Sequence, residues 1–442
     1  MNDFFRPADT DTDTDADADT DTSVATLPNG VRVVTVRLPY LGSVCASVFV
    51  RTGSGHESRA LNGISHFVEH MAFKGTHGRD CQQINLDAER LGAEVDAHTD
   101  KDHTAYHMRG LKQHMVPLLR MLADIVQNGT FPEAEIERER QVILHEMAEN
   151  EDDPLTKAYE LFDKACFGTH PLAQPVIGTR GNIQRFTRAD LVDYVQRQYG
   201  GANVVVGVAG DVDPDEVVRV AEDAFGAMPR GNENIVAAPG HIGGIRSYRD
   251  NGSTQAHVVL GFPIASLKED PHPGVVATTL FGEGMSSPLM DQLRERRGLV
   301  YYASCSADVT DLCGQFVIEA STAPEHLDEF FAEVARLLAE HADGDAVDAV
   351  GMERARNQIA VRSLRAQEQP FRRLEEAAQD LYVHGRVRPR AELAARVEAV
   401  TAGQVQDTFR RMLATRPAVA VAGKLGKGAG NRFFEVMAAR RG

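Results

Sequence analysis

Cysteine is scarce and scattered in this chain. The five, Cys45, Cys81, Cys166, Cys305 and Cys313, form no CxxC pair, which argues against a disulfide framework and against a cysteine-rich zinc ribbon. They read as reduced thiols of a cytoplasmic protein. No apolar run reaches the length of about 18 residues that a membrane span needs, so no membrane partner is expected. The opening MNDFFRPADT has neither a positive n-region nor an apolar stretch, hence no signal peptide. Positive charge is in deficit: 47 Lys and Arg face 64 Asp and Glu, a formal net charge of −17. Nucleic acid is therefore excluded as a partner, because phosphate binding needs clustered Lys and Arg. Part of the deficit lies in ADTDTDTDADADTDT at 8–22. With nothing more apolar than Ala it cannot bury a core, and residues 1–24 are expected to form a disordered acidic leader. No GxxxxGK[ST] loop is present, and the glycine clusters do not follow the dinucleotide pattern.

What is present is a chain of 442 residues, 43% hydrophobic, too long for one core and suited to two domains. Alternating β-branched residues around Pro28-Asn29-Gly30 predict a hairpin that leads into a longer strand at 44–52. Helical patterns follow at 62–73, 81–91, 111–127 and 132–151, with two strands between the second and third. NVVVGVAGDVDPDEVVRVAEDAFG closes the half as strand, turn and helix. The second half repeats the order: HVVLGFPIA, GVVATTLFGEG, CGQFVIEASTA and AVAVAGKLG. Val208-Ala209-Gly210 and Val421-Ala422-Gly423 lie 213 positions apart, and the same offset carries strand 44–52 onto 257–265. An internal duplication accounts for this. The expected fold is α+β, two homologous domains, each an antiparallel sheet covered by helices. The expected boundaries are 25–228 for the N-terminal domain, 229–247 for a Gly/Pro/Asn-rich linker and 248–435 for the C-terminal domain.

GISHFVEHMAFKGT, 63–76, carries the chemistry. On a helix, residues three and four apart share a face, so His66, Glu69 and His70 project from one patch while Ile64, Val68 and Met71 face inward. Two imidazoles at i and i+4 reach one zinc ion, and the glutamate beside them can take a proton from water. A catalytic zinc still needs a third protein ligand. By itself the pentapeptide reads equally well as a polar face that happens to carry two histidines. TFPEAEIERERQVILHEMAENEDD predicts a second helix, with Thr130 as N-cap, Pro132 in the first turn and Glu133 as the N3 partner of a capping box. Ile136, Ile143 and Met147 form its apolar stripe. Glu139 and Glu146, two turns apart, lie near that stripe, where a carboxylate usually has a partner.

HFVEH followed by Glu146 resembles the inverted-motif zinc peptidases of the pitrilysin/insulinase type. The likeness extends over LNGISHFVEHMAFKGT, HPLAQPVIGT and ERERQVILHE, and over nearly everything from 25 to 430. The resemblance implies one Zn2+ per chain held by His66, His70 and Glu146, Glu69 as general base, and Glu139 as a second acidic position supporting the site. In the second half, FGEGMSSPLMDQLRERRGLVYYASCSA carries Arg294 and Tyr301. Family members that cleave peptides use an arginine and a tyrosine at this spacing, and a guanidinium with a phenol O–H suits an oxyanion. Read alone, RERRG is a basic helix end before a strand, with Arg296 and Arg297 on the surface and Tyr302 on the opposite face from Tyr301.

Short members of this type resemble mitochondrial processing peptidase subunits, two chains closing around a chamber. Because this chain carries both residue sets, a homodimer is the simplest assembly, a heterodimer the other. The resemblance implies extended peptide substrates added as a strand to EVDAHTD, in a zinc endopeptidase. The second class of function is a non-catalytic peptide-binding or scaffold subunit. Asp96 stands where the family pattern has Asn, and Glu283 interrupts a glycine-rich pattern. His98, His103, His107 and His114 admit a second metal cluster or, more simply, strand and turn histidines beside a peptide groove.

Overall fold

The structure, a computed structural model, describes residues 21–439. Nearly all of the acidic run at 8–22 lies outside them. Two sheets organise the chain. The first contains β1 (Thr22–Thr26), β2 (Arg32–Arg37), β3 (Ser43–Val50), β4 (Glu94–Thr99), β5 (Thr104–Leu111) and β6 (Val204–Gly210), in the order β1-β2-β6-β3-β5-β4. The second contains β7 (Gly244–Arg249), β8 (Ala256–Ile264), β9 (Val300–Val309), β10 (Gly314–Thr322) and β11 (Ala418–Gly423), in the order β7-β11-β8-β10-β9. Apart from β1 the two orders correspond strand for strand, as the 213-residue offset anticipates. β7 begins inside the stretch read as linker.

The sheets are not wholly antiparallel. β2 pairs with β6 in parallel, and β7 with β11 likewise, whereas the other pairs are antiparallel. The cause is connection length. A short turn forces an antiparallel neighbour, but β6 returns only after the helices between 38 and 203, far enough to enter beside β2 from the same end.

Each sheet buries both faces, and the covering helices come from different halves. Val204, Val206 and Val208 of β6 point into a core with Ile64, Phe67, Met71, Leu118, Leu122 and Val217. The alternate residues Val205 and Ala209, with Val34, Val36 and Phe49, meet Phe371, Leu374, Ala377 and Leu381 of the helix Pro370–His384, which belongs to the second half of the sequence. Reciprocally, Ala158, Phe162 and Ala165 of the helix Pro154–Phe167 cover Val259, Val317, Ala418 and Ala420 on the second sheet. This exchange explains why strands such as VVVGVAG are apolar at every position instead of alternating.

Polar contacts close the seams. The Tyr382 hydroxyl donates to the carbonyls of Phe49 and Asn203 at 3.0 and 3.1 Å. Arg51 meets Asp311 at 2.8 Å, and the Tyr159 hydroxyl donates to Glu319 at 2.6 Å. The five cysteines are free. Among the described residues no helix is long and apolar enough to cross a membrane.

The exchanged helix should carry a measurable share of stability. Leu374 is fully buried against β6. Leu374→Ala is expected to cost about 2–5 kcal/mol in urea unfolding. Val361→Ala, on an exposed helix surface, should change stability by no more than about 0.5 kcal/mol.

Candidate metal centre

The helix Ile64–Ala72 is amphipathic in the expected sense: Ile64, Phe67, Val68 and Met71 are buried, and His66, Glu69 and His70 lie together on the remaining face. Its start is fixed by groups distant in sequence. Gly63, the N-cap, has φ +97°, a left-handed conformation that L side chains rarely adopt. A Cβ there would lie 2.7 Å from the Cα of Gly178, and one on Gly178 (φ +87°) would lie 2.5 Å from the Cα of Gly63. The two glycines let PVIGT dock directly on the helix entrance. The Glu57 carboxylate accepts the backbone N–H groups of Gly63 and Ser65 at 2.7 and 2.8 Å and the Asn62 amide at 3.1 Å, satisfying donors the helix cannot. Tyr194 hydrogen-bonds Ser65 at 2.7 Å.

The second helix, Glu133–Asp152, buries Ile136, Ile143 and Met147 as expected. Its start differs from expectation. Pro132, not Thr130, is the N-cap residue, and no side chain caps it. Phe131 takes a positive φ of 47°, which turns Thr130 away so that its hydroxyl donates to the Gly75 carbonyl at 3.2 Å.

The two helices bring three donor atoms together. His66 Nε2 lies 3.7 Å and His70 Nε2 3.6 Å from the same Glu146 oxygen, Oε2. Ligand atoms of the three residues lie within 4.8 Å of one another, a grouping able to hold a metal ion. The donor set, two imidazoles and a carboxylate, is of the kind that catalytic zinc uses. Glu139 is buried, and its Oε2 accepts His70 Nδ1–H at 3.1 Å while Oε1 meets Lys74 Nζ at 2.7 Å. With Nδ1 carrying the proton, the His70 lone pair is at Nε2, facing the cluster. His66 Nδ1 is buried with no hydrogen-bond partner among the described residues.

Electrostatics separate the groups. Burial, together with the positive field of His70, depresses the His66 pKa to about 4. Burial also pulls on His70, but the adjacent Glu146 and Glu139 carboxylates outweigh that and the net shift is upward. The His70 imidazole beside it, with His66, holds Glu146 below the ordinary carboxylate range. Glu69 moves the other way: burial raises it, opposed by the Thr99 hydroxyl, which donates to its Oε2 at 2.8 Å. Glu69 is thus a carboxylate of raised basicity beside the cluster and outside it.

Arg294 and Tyr301 come together with each other. Arg294 sits in a π-helical turn, Asp291–Arg296, and Tyr301 near the start of the edge strand β9. The guanidinium lies 5.4 Å from the centre of the Tyr301 ring. Tyr301 is 81% exposed. Among the described residues, no hydrogen bond, ion pair or ring contact links either to the His66–His70–Glu146 cluster. Arg297 pairs with Glu329 and Glu333, and Arg296 with Asp291. The Glu283 carboxylate pairs with Arg362.

EVDAHT is the edge strand β4, as expected. Asp96 turns its carboxylate toward His107 at 3.6 Å and its own neighbour's N–H at 2.9 Å. The four histidines do not form one group. His107 packs on Phe371 with ring centroids 4.1 Å apart, and His114 bonds the Leu91 carbonyl at 3.0 Å. His98 and His103 instead meet Glu375 from the second half.

Sequence reasoning missed Glu57, Thr99, Lys74 and Glu375 as partners. Lys74 alone had a local signal, standing four residues after His70.

The glycine contact makes a sharp prediction. Gly178→Ala should lower stability by about 2 kcal/mol or more, through backbone strain and displacement of the helix entrance. Gly181→Ala, where nothing lies within 4 Å of the added carbon, should be neutral or slightly stabilising within its helix. Thermal unfolding of the two variants checks this.

Known proteins share this architecture. Residues 32–180 match the family described as Insulinase (Peptidase family M16), and 185–359 match the Peptidase M16 inactive domain. An "Uncharacterized zinc protease" of Rickettsia felis is 31% identical over 404 residues, covering 91% of this chain and 97% of that protein. One of Streptomyces coelicolor is 31% identical over 434 residues, covering 93% and 92%. The crystal structure of a protease from Helicobacter pylori superposes with a TM-score of 0.83 at 21% identity, over 91% of this chain and 99% of that one. A peptidase M16 inactive domain from Pseudomonas fluorescens gives the same TM-score and identity over 92% and 98%; these two likenesses speak for the fold. With both family segments matched in order, and relatives above 30% identity along nine-tenths of its length, the chain belongs to the insulinase-type peptidase family M16.

Proposed function

We propose that this chain is a zinc-dependent endopeptidase acting on extended oligopeptides or unfolded precursor segments in a closed chamber. The observation that carries the reading is the convergence of His66 Nε2, His70 Nε2 and Glu146 Oε2, with Glu69 beside them and its Oε2 accepting the Thr99 hydroxyl. His66, His70 and Glu146 would hold the ion, which when bound supplies Lewis-acid activation of water and of the substrate carbonyl. Glu69, its basicity raised by burial, takes the proton of the attacking water and returns it to the leaving amine. Glu139 fixes the tautomer and orientation of His70. Edge strand β4 offers unpaired backbone groups to an extended peptide, which aligns the scissile bond next to Glu69 through Thr99.

Arg294 and Tyr301 supply a guanidinium and a phenol O–H for the oxyanion. In the assembly we favour, a homodimer, they come from the second copy, so that two chains build two complete sites. The names of the Rickettsia and Streptomyces relatives support a zinc protease at the coarser level.

The test is zinc content per chain together with cleavage of a mixed peptide pool. Glu69→Gln is expected to keep its zinc while cleavage falls about 10²–10⁴-fold. Glu139→Gln should weaken zinc binding about 10–100-fold. Tyr301→Phe should lower kcat about 10²–10³-fold, and mixing it with Glu69→Gln should recover roughly a quarter of wild-type activity if sites form across a dimer. A zinc-loaded Glu69→Gln that cleaves like the wild type would sink the assignment. Zinc-loaded wild type without cleavage of any peptide would favour the peptide-binding subunit instead.

A further inference from the structure

A second cluster of metal-binding side chains lies at the far end of the edge strand. His98 is the penultimate residue of β4 and His103 immediately precedes β5, so the two stand on either side of Thr99-Asp100-Lys101-Asp102. Glu375, from the helix Pro370–His384 of the second half, reaches between them. Its Oε1 is 3.3 Å from His98 Nε2 and 3.7 Å from His103 Nε2. Ligand atoms of the three residues lie within 4.8 Å of one another.

Two of the donors are held by hydrogen bonds. Asp102 Oδ1 accepts His103 Nδ1–H at 2.8 Å, which leaves Nε2 as the ring nitrogen facing Glu375. That atom is buried and has no hydrogen-bond partner among the described residues. Arg372 donates to the other Glu375 oxygen, Oε2, at 2.6 Å, so Oε1 is the oxygen left facing the imidazoles. Phe371 stacks edge-on against His98, ring centroids 5.8 Å apart, and walls the cluster on its apolar side. A carboxylate behind one imidazole, a second imidazole and a carboxylate ligand is the arrangement that Glu139, His70, His66 and Glu146 show at the first centre.

The geometry points to a second divalent-metal site, of the zinc class, formed by His98, His103 and Glu375. Two imidazoles and one carboxylate suit Zn2+ and its borderline neighbours better than Ca2+ or Mg2+, which prefer all-oxygen ligands. The site is structural in its consequences. It ties the β4–β5 hairpin of the first half to a helix of the second, and so fixes the strand whose Thr99 holds Glu69. It does not depend on the peptidase reading, since it shares no residue with that centre.

The experiment uses the full chain, stripped with chelator, dialysed against Zn2+ and analysed for zinc per chain. Wild type is expected to hold about two ions, and Glu146→Gln, His98→Gln and Glu375→Gln about one each. The Glu146→Gln/His98→Gln double variant should hold none. His98 and Glu375 sit on different elements, so a folding defect in one variant leaves the other to decide. One zinc per chain, unchanged in both His98→Gln and Glu375→Gln, would overturn the proposal, as would two ions unaffected by either. One ion that is lost with His98→Gln and kept with Glu146→Gln would uphold the second site and remove the first.

Discussion

The constraint on which the rest of this structure depends is that both sheets must be dry on both faces. A sheet of Val, Ala and Leu left open on one side would expose apolar area worth about 25 cal/mol per Å2. The chain solves this by exchange. The helix Pro154–Phe167 lies on the second sheet, and the helix Pro370–His384 lies on the first. Once that is required, the halves cannot move as independent domains, and residues from both are brought to one place. Glu375 reaches the β4–β5 hairpin only because its helix is needed to cover β6 and β3.

The same constraint decides what could be read from the sequence. Local periodicity found both site helices, because Ile64, Val68 and Met71, and Ile136, Ile143 and Met147, each repeat at helical spacing. The spacing of HFVEH and Glu146 found the cluster, because resemblance carries information about contacts that periodicity lacks. The offset between Val208 and Val421 anticipated two sheets of one topology. What stayed hidden was long-range. Nothing in the sequence ties Glu57 to the entrance of a helix that begins seven residues later, or sets Gly63 against Gly178. The exchanged helices look like ordinary members of their own halves. Thr130 failed as a cap because a local rule met a non-local one: the strand-like bridge from Thr76 to Gly129 holds the approach, and Phe131 absorbs the turn.

Charge follows a consistent pattern within the cores. A buried carboxylate without partners costs several kcal/mol, and this protein, at −17 overall, has more carboxylates than cations to offer. Glu139 is satisfied by Lys74 on one oxygen and His70 on the other. Asp102 and Glu375 are both set against His103, whose pKa is carried up to about 10 although burial alone would lower it. In each cluster an imidazole shares that work with a cationic side chain, Lys74 at Glu139 and Arg372 at Glu375. A histidine can carry that charge as a proton, and can exchange the proton for a metal cation bound at the same nitrogen.

The two sides of the proposed peptidase site differ in stiffness as a result. His66, Glu69, His70 and Glu146 stand on helices locked by full burial of several large side chains, at about 1.5–3 kcal/mol each. Arg294 and Tyr301 are held by exposed contacts, their mutual cation–π stack at about 0.5–1 kcal/mol and the bonds of Arg294 to Met285 and Glu295. The π-helical turn at Arg294 and the edge position of β9 add little rigidity. A donor pair bound so weakly to itself reorients at small cost when a carbonyl oxygen offers a better partner. In the proposed assembly, a rigid centre fixing where the bond is attacked and an adaptable pair following the carbonyl would accommodate peptides of varied sequence. Backbone groups are common to all of them, and they are the groups that β4, Arg294 and Tyr301 are chemically fitted to meet.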